Sequence, residues 1–467
     1  MSASAENPIP PGATRELAAF AAGLGYADLP AAVTDHLKLC ILDGIGCMLH
    51  GATLPWTAKV AAMVRAEAGT PEADILDGKG RVPAAAAALV NGTAGHAFEL
   101  DDIHRDSILH LNSLALATGF ALAQRQSGVS GAAFLTAVAA GYEVGARIGA
   151  AAGPGLLLGG FHPQGVTGTF AAAATAAKLL GLDAETTQQA LGIAGSLGAG
   201  LMAAQEGAMV KRLHSGRAAE AGLRAALLAR DGFTGIDDVV EAGYGGFLTA
   251  HSDAPIPERL LTGLGSDWEI LATGFKPHAT VTSIHAALDA LAEIRRAHGL
   301  GAADMATIEA FVSTPTHVHC AWPYRAQSVT AAQMNIYFGL AVMALEGEAF
   351  VAQFTPERIA EPAILDIIQR VTAQVDPEID ALGPAHRHMA RVAVTTTDGR
   401  RFEQRVEARK GSPENPLTAD EVKTKFGAVT AGIISESAAQ QIEARVGALE
   451  TETDVAALVG ALLPDGN

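Results

Sequence analysis

Only three cysteines, Cys40, Cys47 and Cys320, occur in 467 residues. They form neither an even disulfide framework nor a metal-binding cluster, which fits a reducing compartment. Cys40 and Cys47 sit seven apart on an apolar helical pattern and read as packing residues. Cations are also scarce: 32 Lys and Arg against 50 Asp and Glu leave a net charge of −18. That balance argues against nucleic acid, whose binding rests on neutralising phosphates. A membrane span needs ~20 predominantly apolar residues in a row. The longest uncharged stretch, 148–177, is broken by Pro154, Pro163 and seven glycines. The first residues lack the basic and apolar regions of a signal peptide. The expectation is a soluble, acidic, cytoplasmic protein. There is no Walker motif, no Gly-x-Ser-x-Gly elbow and no His-Glu-x-x-His.

What is abundant is alanine, leucine and glycine, arranged at helical spacing. Residues 1–12 read as a loose arm. Helical periodicity covers 14–51, 56–68 and 83–89, then 113–126, 130–149, 165–180, 184–205 and 214–231, with no period-two run between them. About the first 265 residues are therefore expected to be all helical. Gly192, Gly195, Gly198 and Gly200 imitate a nucleotide loop, but no strand precedes them, so they read as close helix packing. The texture then changes. Helices are predicted over 279–298, 328–346 and 356–370, and a strand over 306–312. Two alternating runs, 389–397 and 400–408, flank Asp398-Gly399, a hairpin signal. Residues 418–463 return to helix. The predicted fold class is mainly α: a helical domain over 1–268, a smaller α+β lid over 269–408, and C-terminal helices, 409–467, packing back on the helical domain.

Polar chemistry concentrates in a few places. Glu99, Asp101 and Asp102 fall with His96, His104 and His110 inside fifteen residues of otherwise apolar sequence. Histidine beside carboxylate suits proton transfer near neutral pH; the plainer alternative is a solvated loop between helices. Gly159-Gly-Phe-His162-Pro-Gln164 places a histidine at a predicted helix start, as a ligand-facing or a capping group. Lys211-Arg212-Leu-His214-Ser-Gly-Arg217 is a cationic string suited to carboxylates or phosphates, or a solvated basic face. Phe275-Lys276-Pro-His278, with His285 beyond it, is a fourth place. The fifth is the loop from Thr316 to Arg325, which carries Trp322 and Tyr324. His317 and His319 could share one face of a strand as metal ligands, but no third ligand accompanies them; His386 and His388 make the same weak case. No metal and no cofactor is expected.

Together these strings resemble the 2-methylcitrate dehydratase (MmgE/PrpD) family, which also contains cis-aconitate decarboxylase and iminodisuccinate epimerase. The resemblance runs from about residue 14 to 460. It is carried by Asn91-Gly-x-x-x-His-Ala with Asp101-Asp102, by Gly-Phe-His162-Pro, by Lys211-Arg-Leu-His-x-Gly-Arg, by Lys178-Leu-Leu-Gly-Leu-Asp-Ala-Glu and by Phe275-Lys-Pro. It implies a homodimer with a cofactor-free site in the cleft between a helical domain and a lid. In the decarboxylase branch the functional positions correspond to Glu99, Ile103, His110, His162 and Lys211, with a lid tyrosine at Tyr324 or an aromatic at Trp322. Glu99 stands where aspartate is usual, Ile103 replaces a threonine and Leu111 a proline. A lid histidine of that branch falls near Val281, with His278 and His285 close by.

The expected chemistry is abstraction of a proton α to a carboxylate of a small di- or tricarboxylate. Lys211, with Arg212, Arg217 and Lys276, would grip the substrate, and His110 and His162 would act as acid and base. Asp101 or Asp102 would orient an imidazole, and Tyr324 would complete the catalytic group. Glu99, Ile103, His278 and Trp322 would line the substrate. A lyase is the first expectation, with dehydration ahead of decarboxylation. An epimerase is the alternative, and a catalytically silent binding protein a third possibility.

Overall fold

The computed structural model describes residues 9–463; most of the arm expected over 1–12 lies outside the described residues. Ile9 already packs against the core, and the first helix, Ala13–Gly23, follows directly. The large core is built from long helices, chiefly Ala31–Ala52, Ala84–Gly95, Leu111–Gln126, Gly131–Leu158, Gly168–Leu179 and Val210–Arg230. Their contact faces are alanine and glycine, so backbones approach closely. A Cβ on Gly51 would sit 1.9 Å from the Ala94 carbonyl oxygen, and one on Gly216 would sit 2.1 Å from that of Leu89. The final helices, Ala419–Thr430, Glu436–Gly447 and Val455–Ala461, bury Val422, Phe426, Ile442 and Leu458 in this same core.

A second core surrounds a four-stranded sheet in the order Val371–Val375, Met305–Val312, Ala390–Thr396, Arg401–Val406. The first two strands run parallel and the other pairs antiparallel. The Asp398-Gly399 hairpin appears as read, with Gly399 at φ 86°. The helix expected over 356–370 is present as Pro362–Ile368 after a short turn at Arg358–Ala360, and the strand Val371–Val375 that follows it was not expected, because only its first residue is buried and the alternation signal is lost. The helices His285–His298 and Ile336–Glu346 cover the sheet. Cys47, Phe98 and Leu100 from the helical part join this second core, so the stretch carrying Glu99 is clamped between the two.

Three expectations need correction. The first 265 residues are not all helical: Ala73–Asp74 pairs with Arg81–Val82, and Ile103–His104 pairs with Thr273–Gly274. Two-residue ladders are too short to show a period. The helix expected over 184–205 stops at Ala194, and Gly198 and Gly200 lie in the turn beyond. The packing reason still holds, since a Cβ on Gly198 would meet the Val166 carbonyl oxygen at 2.3 Å. The helix begun at Gly131 runs to Leu158 rather than 149, kinked where Gly153 takes φ 61° ahead of Pro154. No single described helix is long and apolar enough to cross a membrane; Ala31–Ala52 and Pro55–Glu67 pass only as a pair bent by 80°.

Candidate active site

Short-range chemistry sets the frame of the site. The ladder between Ile103–His104 and Thr273–Gly274 brings Lys276 across to the 96–110 loop. Gln164, two residues after His162, accepts from the His110 backbone N–H at 2.9 Å and donates to its carbonyl at 3.1 Å. The same amide reaches Ser113 and Ser215, both at 3.0 Å. One buried side chain thereby ties together the three polar strings that lie far apart in sequence.

At the centre is Glu99, buried and held at φ 57°. A non-glycine residue in the left-handed region carries strain of ~1–3 kcal/mol unless its surroundings impose it. Here they do. Glu99 pairs with Lys211, with Arg212 at 2.6 Å and with Lys276 at 3.2 Å, all four side chains almost completely buried. Burial pushes the Glu99 carboxyl up, but Lys211, Lys276 and Arg212 together hold it well below the usual range. Burial lowers the Lys211 ammonium to about 8, with Glu99 opposing and Arg212 and Lys276 adding to the fall. Three cations on one carboxylate leave an excess of positive charge. Lys211 and Lys276 face a cavity of about 610 Å³, whereas Arg212 turns back to the His96 carbonyl, Thr330 and Gln333.

The proton-transfer groups line the same cavity. Asp101 sits between two imidazoles: His96 Nδ1 at 2.7 Å from one oxygen and His110 Nδ1 at 3.1 Å from the other. Burial opposes the Asp101 charge, yet His110 and His96 hold its carboxyl well below the usual range. Burial drives His96 down to about 3, so it is neutral and donates Nδ1–H to Asp101. His110 faces the cavity, with the carboxylate behind its Nδ1. His162, the N-cap of the short helix Pro163–Val166, faces the cavity from the other side. Its Nδ1 lies 2.9 Å from His214 Nδ1, so one ring must donate to the other. Burial, then Lys211, lowers His162 well below its ordinary value.

The site expectations divide accordingly. Glu99, Ile103, His110, His162, Lys211 and Lys276 line the cavity, with Asp101 directly behind. Asp102 does not orient an imidazole: it accepts from Tyr142 at 2.6 Å and from the Asn112 N–H at 3.1 Å, and burial raises its carboxyl well above the usual range. Arg217 points outward, 60% exposed, onto Glu220. His278 pairs with Asp289 at 2.9 Å, away from the cavity. Tyr324 donates to the Ile359 carbonyl at 2.7 Å and packs on Phe338, while Trp322 offers its carbonyl to Asn335; neither lines the cavity. His317 and His319 lie on a helix, Thr314–Cys320, so two-residue spacing sends them to different sides, and only His319 reaches the cavity. His388 lines it and His386 does not.

His214 and Gln164 are functional neighbours that motif reading passed over. Each lay inside a quoted string, but only the fold shows that it touches a cavity histidine or its backbone. Among the described residues, the three-ligand group with spacing suited to a metal is His96, Asp101 and His110, whose ligand atoms lie within 4.8 Å of one another. Of these, His96 Nδ1 is hydrogen-bonded to Asp101, and His110 Nδ1 lies 3.1 Å from its other oxygen.

Comparison with known proteins shows the family. The MmgE/PrpD N-terminal domain matches residues 15–259, and the MmgE/PrpD C-terminal domain matches 278–451. The chain is 35% identical to the cis-aconitate decarboxylase-like protein oryM of Aspergillus oryzae, over 96% of this chain and 97% of that protein. It is 33% identical to cis-aconitate decarboxylase of Aspergillus terreus, over 98% and 97%, and 28% identical to human cis-aconitate decarboxylase, over 96% and 94%. Together the two family domains cover most of the chain, the relatives match nearly all of it, and the chain belongs to the MmgE/PrpD family.

Proposed function

We propose that the chain decarboxylates an unsaturated tricarboxylate of the cis-aconitate kind, without a cofactor. The family and relatives of 33–35% identity make it a lyase. The finer reading rests on one observation above all: two buried ammonium groups, Lys211 and Lys276, share a cavity with His110 and His162. Charge-assisted hydrogen bonds from the lysines would hold carboxylates of the substrate. Loss of CO₂ from a carboxylate one carbon removed from a double bond breaks the C–C bond. Its electron pair moves into a new double bond, and the old one takes up a proton at its far carbon. A histidine supplies that proton, and the lysines stabilise the charge that builds during the shift. His110, backed by Asp101, and His162, coupled to His214, stand on the cavity wall as the candidate donors.

The same reading takes 269–408 as a lid over the helical part, supported by the two separate cores. It places the enzyme in the cytoplasm, in keeping with three free buried cysteines. A homodimer is supported by the exposed apolar side chains Leu158, Leu197, Leu201, Met209 and Val210, which flank the site strings. The test is proton NMR of the purified enzyme with cis-aconitate in D₂O, with CO₂ measured in parallel. The expected result is CO₂ release with one deuterium in the product's methylene. Hydration without CO₂ would make it a hydro-lyase, and deuterium exchange with neither CO₂ nor hydration would refute decarboxylation. His110→Ala, His162→Ala and Lys211→Ala should each lose turnover while remaining folded, and EDTA should leave the rate unchanged.

A further inference from the structure

The cavity is larger and more apolar than a small tricarboxylate requires. A molecule of the cis-aconitate kind has about a dozen heavy atoms. At water's share of liquid volume, about 30 Å³ each, these need at most about 360 Å³. The cavity offers about 610 Å³, within the ~300–1,000 Å³ range that encloses larger organic ligands. Its cationic end is compact: Lys211 and Lys276 meet at Glu99. Beyond that end a hydrocarbon strip runs along the wall, beside a polar side formed by Arg105, Asp106, Arg259, Asp380, Arg387 and His388. Ile103 and Ile108 come from the loop, Leu157 from the kinked end of Gly131–Leu158, Met202 and Ile256 from the helical side, and Ile379 from the lid. Ile108 is held at φ 56°, a strained conformation for a β-branched residue, at a position lining the cavity. Ile256 packs over the kink, 3.3 Å from where a Cβ on Gly153 would lie.

The remaining charged residues of the wall do not ask for a second anion. Asp106 takes Arg105 at 3.3 Å and Arg259 at 3.0 Å. Arg105 also reaches Glu414 at 2.6 Å, and Arg259 reaches Glu269 at 3.1 Å. Arg387 spends a donor on the Arg105 carbonyl at 2.8 Å. Arg105 and Arg259 are paired with carboxylates, while Arg387 donates only to the Arg105 and Pro384 carbonyls, and the apolar strip is the part of the wall without polar partners.

We infer that the substrate is a tricarboxylate carrying an unbranched alkyl chain, its carboxylates at Lys211 and Lys276 and its chain along Ile103, Ile108, Leu157, Met202 and Ile256. This rests on the decarboxylase reading above and narrows it. After the carboxylate head is seated, about 250 Å³ remains, room for a chain of about six to eight carbons at the same volume per atom.

The test uses cis-aconitate and homologues with methyl, butyl, hexyl, octyl and dodecyl groups on the saturated carbon that loses CO₂. A parallel calorimetric series uses the matching saturated tricarboxylates, which cannot react. The inference expects kcat/KM, and affinity in the saturated series, to rise about two- to fourfold per methylene, to a plateau between hexyl and octyl. Leu157→Asp and Met202→Asp should each flatten that rise, with the two variants guarding against misfolding of either. Turnover of cis-aconitate that falls steadily as the chain lengthens would overturn the inference and leave the decarboxylase reading intact. Affinity that climbs with chain length while no homologue is turned over would uphold the inference and sink the decarboxylase reading. A chain ending in a carboxylate that binds better than the plain alkyl chain would overturn the inference, because the arginines would then be an anion site. Flat affinity without turnover would remove both.

Discussion

Replacing Glu99 by glutamine probes the centre of the site most directly. The wild-type carboxylate pairs with Lys211, Arg212 and Lys276, all buried, and offsets part of their charge. Glutamine keeps the shape but removes the charge and turns an amide NH₂ toward the cations. Breaking a buried ion pair by removing one partner costs about 3–5 kcal/mol, and here three cations lose the same partner. Part of that is recovered if substrate carboxylates take its place: a ligand at a hundred times its Kd adds about 2.7 kcal/mol. Urea unfolding of Glu99→Gln should therefore show a lower midpoint than wild type, with most of the gap closed by saturating tricarboxylate. The charge change also has a kinetic signature. Lys211 titrates at about 8 with Glu99 opposing its fall, and a carboxylate substrate needs the ammonium form. In wild type kcat/KM should decline as pH rises through about 8. Without Glu99 the ammonium is harder to keep, so the decline should begin at lower pH; each unit of displacement corresponds to about 1.4 kcal/mol. Glu99→Asp, with its charge kept but drawn back by about one C–C bond, ~1.5 Å, should fall between the two. If Glu99→Gln unfolds at the wild-type urea concentration and keeps its alkaline limb near pH 8, the carboxylate is not what holds these cations.

Three further outcomes follow from the neighbours. His214→Ala removes the group 2.9 Å from His162 Nδ1; leaving a buried nitrogen unsatisfied costs about 1–3 kcal/mol, so kcat should fall about 10- to 100-fold with an altered pH profile, and His214→Asn should recover part of it. An unchanged profile would reduce His214 to packing. Lys425→Met breaks the buried pair with Asp43 at 2.5 Å and the bond to the Leu100 carbonyl, so thermal unfolding should show a loss of about 3–5 kcal/mol; wild-type stability would mean the loop next to Glu99 is not anchored from the C-terminal helix. Arg217→Ala should change stability by no more than about 0.5 kcal/mol and leave KM alone, since that side chain faces solvent; a raised KM would return it to the site.

The local strings alone determined a good part of this protein. Alanine and glycine at helical spacing set long, closely packed helices, and Asp398-Gly399 between alternating runs set a hairpin, because these are short-range preferences of backbone and side chain. The density of His96, Asp101, Asp102 and His110 in an apolar background marked a site, and Lys211 and Lys276 were legible as its cationic partners. What sequence could not decide was direction. Asp101 and Asp102 are neighbours of one chemical type, yet one bridges two imidazoles while the other turns to Tyr142. Arg212 and Arg217 share a helix, but at their spacing one is buried on Glu99 and the other is exposed. The short ladder that carries Lys276 to Glu99, the pairing of His162 with His214, and the withdrawal of Tyr324 and Trp322 all depend on contacts between residues tens to hundreds apart. Such contacts follow from how the two cores close on the 96–110 loop. Local spacing gives the residue types that gather there, and only that closure sets which atoms meet.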